Sequence, residues 1–482
     1  MTITDFSVIL PVTLLTAWAS ILLLAELFLP RAQRPFLALL AALGLALTLG
    51  ISLAQSAQEF APGFGGMVVR DGFSNFLNVL FLLTGLFGVA LSYRYNQRAQ
   101  IERGEYYPLL LFSVAGMMLM GQAADLIVVF LALELLSFPL YILSAFAYPR
   151  PQSEEAGLKY FLLGAFASGF VVYGIALTFG ASGSTDLARI VASVAAGSAN
   201  LPLLTAGAGL LLVGFGFKVA AVPFHMWTPD VYQGAPTSVT AFMAAGAKTA
   251  GFAALLRVFG AAFPALAADL SPLMAILAAV TMLFGNLIAV AQTDMKRMLA
   301  YSSIAQAGYL LMAFAPFEIE AARTMAVAGA LFYLLAYTLA SFGSWGVVIA
   351  LEKDLDRHLS IGDFAGLARR SPWLAAAMTV FMLSLTGLPP TLGLVGKIYL
   401  FRAVIEGGMV WLAVIGALTS VVSAFYYLRI VVNMFMREGE PAVEREWWLE
   451  FAIGAAAVVT VVVSLWPFPL FEWAEWAVMK LF

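Results

Sequence analysis

The sequence contains no cysteine and only two histidines. The first absence excludes disulfides, cysteine-ligated zinc and iron–sulfur clusters on this chain. The second leaves too few imidazoles for a multi-histidine metal centre. Charge is scarce as well: Asp, Glu, Lys and Arg make up 11% of the 482 residues, against roughly 25% in an ordinary soluble domain. The net charge of −3 argues against a nucleic-acid partner. No strand–glycine-rich loop–helix unit and no P-loop occur, so no nucleotide or redox cofactor is expected on the chain. What the sequence has instead is apolar residue, 62% of it, in runs long enough to cross a bilayer and separated by short charged loops. The pattern predicts an all-α integral membrane protein forming a single polytopic domain over 1–482.

At ~20 residues per crossing, about fourteen spans are expected. They lie near 7–30, 36–55, 73–93, 107–123, 126–147, 157–180, 202–231, 236–260, 270–291, 297–315, 322–351, 372–405, 409–436 and 449–466. The first run is too long for a signal-peptide core and lacks a cleavage pattern, which predicts a retained helix. The Trp-rich tail Pro467–Phe482 is expected in the membrane interface. Orientation follows from Lys and Arg in the loops. Loops after odd-numbered spans hold fourteen: Arg31, Arg34, Arg94, Arg98, Arg103, Arg150, Lys296, Arg297, Lys353, Arg357, Arg369, Arg370, Arg437 and Arg445. Loops after even-numbered spans and the tail hold six: Arg70, Arg189, Arg257, Arg323, Arg402 and Lys480. Odd loops are therefore expected in the cytoplasm and both termini outside.

Five of the 25 basic residues remain for the spans: Lys159, Lys218, Lys248, Lys397 and Arg429. Glu134 is the clear intramembrane acid, with Glu26 near the end of the first span. A charge at the bilayer centre costs at least ~2.5–3.5 kcal/mol on insertion scales, and such residues usually face a bundle interior along an ion or proton path. Lys159 stands near a span end, where function and snorkelling weigh equally, and snorkelling is favoured for Arg429. Lys248 and Glu134 lie too deep for that.

Two long spans are broken by proline, at Lys218-Val-Ala-Ala-Val-Pro223 and at Pro389-Pro390 ahead of Lys397. Proline removes a backbone donor, and in lipid the freed carbonyls need protein or water, so a broken span should line a cavity. The breaks fall five spans apart. Since five is odd, a five-span repeat would be inverted, as in many transporters. Spans 4–8 (107–260) and 9–13 (270–436) are the expected halves, although span ten carries no acid to match Glu134.

An ammonium out of water is a group whose proton can be exchanged, and a neighbouring carboxylate changes how firmly that proton is held. Glu134 with Lys218 is therefore expected to form a switch, with Lys248 and Lys397 passing the proton on. His225, just past the first break, could extend the relay or be structural. Ser137, Thr249, Tyr301, Ser302 and Ser303 are candidate holders of bridging water.

The segment Phe217-Lys-Val-Ala-Ala-Val-Pro-Phe-His-Met-Trp-Thr-Pro-Asp-Val-Tyr-Gln-Gly-Ala-Pro236 resembles a hallmark of the antiporter-like membrane subunits of complex I. So does Asp294-Met-Lys-Arg-Met-Leu-Ala-Tyr-Ser-Ser-Ile-Ala-Gln-Ala-Gly308. Within that family, Gly387-Leu-Pro-Pro-Thr-Leu-Gly-Leu-Val-Gly-Lys397 and Glu154-Glu-Ala-Gly-Leu-Lys-Tyr-Phe161 are similar to the N-type subunits, whereas M-type sisters carry Glu at the last position of the former. The resemblance implies a fourteen-helix proton channel in a bacterial plasma membrane, with the proton path on Glu134, Lys218, Lys248 and Lys397. It also implies partner subunits that oxidise NADH with FMN and iron–sulfur clusters and reduce a quinone such as ubiquinone, with no cofactor on this chain. A subunit of a multi-subunit Na⁺/H⁺ antiporter shares the hallmark segments and is the main alternative. A stand-alone secondary transporter is the third reading.

Overall fold

The computed structural model describes residues 3–30, 34–56, 60–263, 266–352 and 359–478. Arg31, Lys353, Arg357 and Lys480, counted above for orientation, lie outside the described residues. Helices α1 (Ile3–Glu26) and α2 (Pro35–Ser56) are followed by a short antiparallel hairpin, β1 (Ala61–Gly63) and β2 (Val68–Arg70). Then come α3 (Gly72–Arg98), α4 (Tyr106–Gln122), α5 (Leu126–Ser144), α6 (Pro151–Ser182) and the short α7 (Leu187–Ala195). The first broken pair is α8 (Leu201–Val219) with α9 (Trp227–Gly234). Next, α10 (Thr237–Phe242) joins α11 (Lys248–Ala261) through a π-helical turn, Met243–Ala247. The second half runs through α12 (Ala267–Ala291), α13 (Met295–Leu311), α14 (Glu320–Leu351) and α15 (Leu367–Arg370). It ends with the broken pair α16 (Pro372–Thr386) and α17 (Leu392–Glu406), α18 (Val410–Met436), α19 (Trp447–Leu465) and α20 (Phe468–Val478).

Each of the fourteen expected segments coincides with one helix or one broken helix. Eleven helices are long and apolar enough to cross a membrane by length and composition. The helix running from Thr237 to Ala261 and α14 are the most enclosed of these, while α1, α6 and α19 keep most of their apolar surface outward. With lipid as the outer solvent, apolar burial does not drive helix association, and close packing of small residues does. Along α12 and α13, a Cβ added at Gly285 would lie 2.6 Å from the Ala305 nitrogen, and one at Gly308 2.6 Å from the Met282 nitrogen.

Besides the hairpin and the short α15, the helices α7 and α20 lie outside the expected spans. α7 begins on Asp186, whose carboxylate accepts from the Arg189 N–H at 2.8 Å. The tail forms α20, docked on the protein: Phe471 stacks on Tyr399 of α17 at 3.6 Å and Trp473 tilts over Phe76 of α3 at 4.4 Å.

Helix starts are set by Asp and Asn, whose side chains satisfy N–H groups that have no partner in the first turn. Two of these starts are built alike. Asp125 caps α5, and the strand-like segment before it pairs with the start of α7: Leu126 donates to the Thr185 carbonyl at 2.9 Å and Leu187 to the Ala124 carbonyl at 3.0 Å. Asp294 caps α13, and Met295 donates to the Leu359 carbonyl while Ile361 donates to the Thr293 carbonyl, both at 2.9 Å. These helices are the fifth and tenth expected spans, five apart.

Arg257 corrects the loop count. It lies inside α11, 4% exposed, rather than in a loop. Its guanidinium meets both oxygens of Asp71 at 2.6 and 3.0 Å and stands 4.7 Å over the Phe73 ring. Asp71 is also the residue that caps α3, accepting from the Ser74 N–H at 2.7 Å. Arg323 and Arg402 likewise stand on helices, α14 and α17, as do Arg189 on α7 and, from the other set, Arg94 and Arg98 on α3 and Lys296 and Arg297 on α13.

Candidate functional site

Lys218, Lys248 and Lys397 are 4%, 2% and 3% exposed, and each stands at an irregularity in a helix. Lys218 is in the last turn of α8, two residues before Ala220, whose left-handed backbone (φ 62°) ends the helix. An alanine in that conformation costs roughly 1–2 kcal/mol, and Pro223 prevents the helix from resuming at once. The Lys218 ammonium donates to the Ser137 hydroxyl of α5 at 2.8 Å and the Tyr160 hydroxyl of α6 at 3.0 Å. Tyr160 stacks on Trp227 of α9 at 4.6 Å, and the Trp227 indole donates to the Phe217 carbonyl near the end of α8 at 2.9 Å.

Lys248 is the first residue after the π-helical turn. Such a turn inserts one residue into the helical register, a recurrent device at functional sites. The ammonium donates to both the carbonyl and the hydroxyl of Ser303 on α13. Tyr337 of α14 donates to the same hydroxyl at 3.1 Å. Beside them is a cavity of about 10 Å³ lined by Ser302, Ser303, Tyr337, Ser341 and Ser344, close to the space one water needs.

Lys397 on α17 turns back to the broken end of α16. It donates to the Leu385 and Thr386 carbonyls at 3.1 and 3.0 Å and to the Ser420 hydroxyl of α18 at 3.1 Å. Three ammonium protons thus meet three acceptors, two of them carbonyls at a helix C-terminus, the end that favours a cation. The Tyr309 ring lies 4.0 Å below the ammonium nitrogen. Gly387 is required at this break: its φ is +87°, and a Cβ there would lie 2.9 Å from Lys397 Cδ.

Polar side chains connect Lys248 to Lys397. Ser302, next to Ser303, pairs with the Tyr427 hydroxyl. The Gln306 amide donates to Tyr427 at 3.1 Å and to the Leu385 carbonyl at 2.8 Å, the carbonyl that also holds Lys397. Tyr333 donates to the Gln306 oxygen. Between Lys218 and Lys248 the link is aromatic: Tyr232, edge-on to Trp227 at 5.9 Å, has its hydroxyl beside Ser303.

Glu134 and Lys218 make no direct ion pair, which corrects the expected side-by-side switch. Glu134 is half-buried on α5 and accepts from the Ser168 hydroxyl of α6. It sits one helical turn from Ser137, so Lys218 is reached through that turn. Counted from the two capping aspartates, Glu134 and Ser303 both fall nine residues into their helices, so Ser303 is what span ten places where span five has Glu134. Lys159 is not buried: it pairs with Glu155 and Asp230 at 2.7 Å each, and Asp230 also holds Arg297 at 2.9 Å. His225 sits in the break, edge-on to Phe284 at 5.9 Å, with no hydrogen bond to any of the lysines among the described residues. Arg429 donates to the Gln292 carbonyl at 2.6 Å, beyond the last turn of α12. Of the candidate hydroxyls, Ser137, Ser302 and Ser303 join the network. Thr249 bonds back to the Ala245 carbonyl and across to the Thr338 hydroxyl of α14 at 3.4 Å, and Tyr301 lies under Arg297. Tyr160, Gln306, Tyr309, Tyr333, Tyr337, Ser420 and Tyr427 were not anticipated.

Buried lysines on broken or irregular helices, joined by hydroxyls and an amide, define a membrane protein that moves ions. A model of the family described as "NADH:quinone oxidoreductase/Mrp antiporter, TM" matches residues 123–423, and the chain belongs to that family. It is 45% identical to NADH-quinone oxidoreductase subunit N of Chloroflexus aggregans, over 99% of this chain and 98% of that one. Subunit N 2 of Roseiflexus castenholzii is 46% identical over 98% and 97%. Among solved structures, a chain of respiratory complex I from Thermus thermophilus superposes with a TM-score of 0.82 at 38% identity, over 96% of this chain and 98% of that one. A chain of the Mrp complex from a Dietzia species superposes at 0.86 with 22% identity, covering 100% and 98%, which shows the fold alone.

Proposed function

We propose that this chain is the proton-translocating N-type subunit of the membrane arm of a bacterial respiratory NADH:quinone oxidoreductase. Electron transfer from NADH to quinone takes place on partner subunits carrying FMN and iron–sulfur clusters, and this chain converts part of its free energy into proton movement. The single observation that carries the reading is the polar line that runs from Lys248 to Ser303 and, from its chain neighbour Ser302, through Tyr427 and Gln306 to the Leu385 carbonyl and Lys397. Each member can donate and accept, or can hold an ammonium without a fixed counter-charge, as a proton relay requires. Lys218 is the first-half carrier, Lys248 the centre and Lys397 the outer carrier, with Glu134 biasing Lys218 from one turn away. Lys159 and His225 stand at the edge of this path.

Two inverted halves, 107–260 and 270–436, fit the fold. The paired starts at Asp125 and Asp294 support them, as do left-handed breaks at Ala220 and Gly387. The symmetry is one of architecture, since Lys218 precedes its break and Lys397 follows its own. Odd loops face the cytoplasm and both termini face outward, in a bacterial plasma membrane, flanked by other membrane-arm subunits.

The test uses the whole complex in proteoliposomes. It should copurify with FMN- and iron–sulfur-containing partners and acidify or alkalinise the lumen on NADH addition, with Lys248→Ala abolishing the proton signal. Unimpaired pumping by Lys248→Ala refutes the path. A chain that purifies alone and exchanges Na⁺ for H⁺ refutes the assignment in favour of an antiporter.

A further inference from the structure

Beyond the end of α14 the structure opens a recess of about 530 Å³ on the side proposed above to be cytoplasmic. Its lining includes four carboxylates: Glu352, Asp363, Glu438 and Glu440. Three belong to short helices or loops near the surface. Glu352 is different: it is 6% exposed, directly follows the last residue of α14, and its Oε2 has no hydrogen-bond partner among the described residues. Leaving a carboxylate oxygen buried and unpaired costs roughly 1–3 kcal/mol or more, and such an atom at the floor of an open acidic recess points to water or a proton on it.

We infer that Glu352 is the proton-uptake group of this subunit, taking protons from the cytoplasmic recess and delivering them toward Lys248 along the seam between α13 and α14. This rests on the orientation and the relay proposed above. Two helix faces form the seam. On α14, Tyr337, Ser341, Ser344, Val348 and Glu352 recur at three- and four-residue spacing and share one face. On α13, Lys296, Leu299 and Ser303 do the same. The water-sized cavity lies where these faces meet, lined by Ser303, Ser341 and Ser344 next to the Lys248 contact. Between the cavity and the recess stand Lys296, 7% exposed and donating to the Ala235 carbonyl at 2.9 Å, and Tyr95, whose hydroxyl lies near Glu352 and accepts from the Thr237 N–H at 2.9 Å. The Thr237 hydroxyl, wholly buried, is also left without a partner, so it offers bridging water a second polar anchor.

Among the described residues, the groups around Glu352 are Lys296 from α13, with Asp294 beside it, Tyr95 and Arg98 from α3, and Glu444 and Glu446 from the segment ahead of α19. Asp363, Glu438 and Glu440 share its recess. Arg98 is committed elsewhere, to Glu446 at 2.9 Å and the Ile349 carbonyl at 2.8 Å. Lys296 is therefore the one cation of this set placed to balance Glu352 on the path inward. In the uptake step, hydronium gives its proton to Glu352 Oε2, forming the carboxylic acid and water. The acid then passes that proton to water on the Lys296 side and returns to carboxylate. No oxidant or further reactant takes part.

The test compares Glu352→Gln, Glu352→Asp and Lys248→Ala in the reconstituted complex, at matched assembly, across a pH series. Glu352→Gln should cut NADH-driven pumping at least about a hundredfold, the low end for a positioned proton carrier, with the loss deepening as pH rises and hydronium becomes scarce. Glu352→Asp, which keeps a carboxylate, should recover most of it. If Glu352 only packs beside Tyr95 at the end of α14, the nearly isosteric Gln pumps normally, while the shorter Asp is no better than Gln. Either result sinks the proposal. A dead Lys248→Ala beside a normal Glu352→Gln removes the uptake role alone, whereas a normal Lys248→Ala removes the relay and the uptake role with it. Should Glu352→Gln fail to assemble, the rim variant Glu438→Gln with Glu440→Gln decides: it should steepen the loss of pumping at high pH, and an unchanged profile rules out the recess as collector.

Discussion

Lys397 offers the sharpest separation between holding the fold and moving a proton. Its three donors go to the Leu385 carbonyl, the Thr386 carbonyl and the Ser420 hydroxyl, all at 3.0–3.1 Å. Truncation to alanine takes this donor from the Thr386 carbonyl at a broken helix end, while the Leu385 carbonyl keeps the Gln306 amide. At ~1–3 kcal/mol for a buried group left unpaired, the cost is about 1–3 kcal/mol. The side-chain volume released gives water room to enter, so the lower figure is expected for Lys397→Ala and the upper for Lys397→Met, which fills the space without donating. Both variants should assemble, Met with the lower thermal midpoint. Pumping should fall at least about a hundredfold in both, because the last carrier is gone. Lys397→Arg separates the roles. A guanidinium can reach the same carbonyls but stays protonated at any working pH, so Arg should restore the thermal midpoint while pumping stays well below wild type. The assays are thermal inactivation of the purified complex and NADH-driven proton movement in vesicles. Wild-type pumping by Lys397→Ala, or full pumping by Lys397→Arg, would refute the argument.

Glu134 acts on Lys218 across one turn of α5 rather than by contact. Opposite charges ~7 Å apart at an effective dielectric of ~20 interact by about 2 kcal/mol, the scale expected for groups set a helical turn apart. Glu134→Gln should therefore slow coupled NADH–quinone turnover roughly thirtyfold and Glu134→Asp much less; a fully active Gln variant would end the role. For the Asp71–Arg257 pair, Asp71→Asn should keep the α3 cap but strand a buried guanidinium, at a cost of about 3–5 kcal/mol. Heat stability of the subunit in detergent reads this, and an unchanged midpoint would contradict it. A reporter fused after α20 should give a periplasmic signal; a cytoplasmic one would invert the orientation and place the Glu352 recess outside.

Much of this was legible in the sequence because lipid removes alternatives. A run of ~20 apolar residues can only be a helix there, so all fourteen expected segments landed on helices. Pro223 and Pro389-Pro390 marked both breaks for the same reason. The connecting residues were harder to see. Ser302, Gln306 and Tyr309 recur at four- and three-residue spacing, as do Tyr333, Tyr337, Ser341 and Ser344, and Ser420, Ser423 and Tyr427. That polar stripe on apolar helices was a readable signal of an internal wet seam, but a single hydroxyl in a span is usually packing. The π-helical turn before Lys248 had no signal: Met-Ala-Ala-Gly-Ala differs little from ordinary helix. The Arg257–Asp71 pair was hidden because its partners lie far apart in sequence, and charge near a span end reads as loop.

The contrast between Arg257 and the three lysines is itself an argument about mechanism. Both kinds of cation are buried to within a few percent. Arg257 has a carboxylate on two of its nitrogens. Lys218, Lys248 and Lys397 have hydroxyls, carbonyls and aromatic faces, and none makes an ion pair among the described residues. At 4 Å and an effective dielectric of ~20, a counter-charge is worth about 4 kcal/mol, and neutralising a lysine so paired would forfeit all of it. Nearly a thousandfold in population would then stand against the proton leaving. Neutral partners impose far less, because a hydroxyl that accepts from an ammonium can turn and donate to the amine left behind. Ser137 beside Lys218, Ser303 beside Lys248 and Ser420 beside Lys397 each stand where that reversal is needed. The pair that must never move is sealed by opposite charge, and the groups that must alternate are held by partners indifferent to which way the hydrogen points.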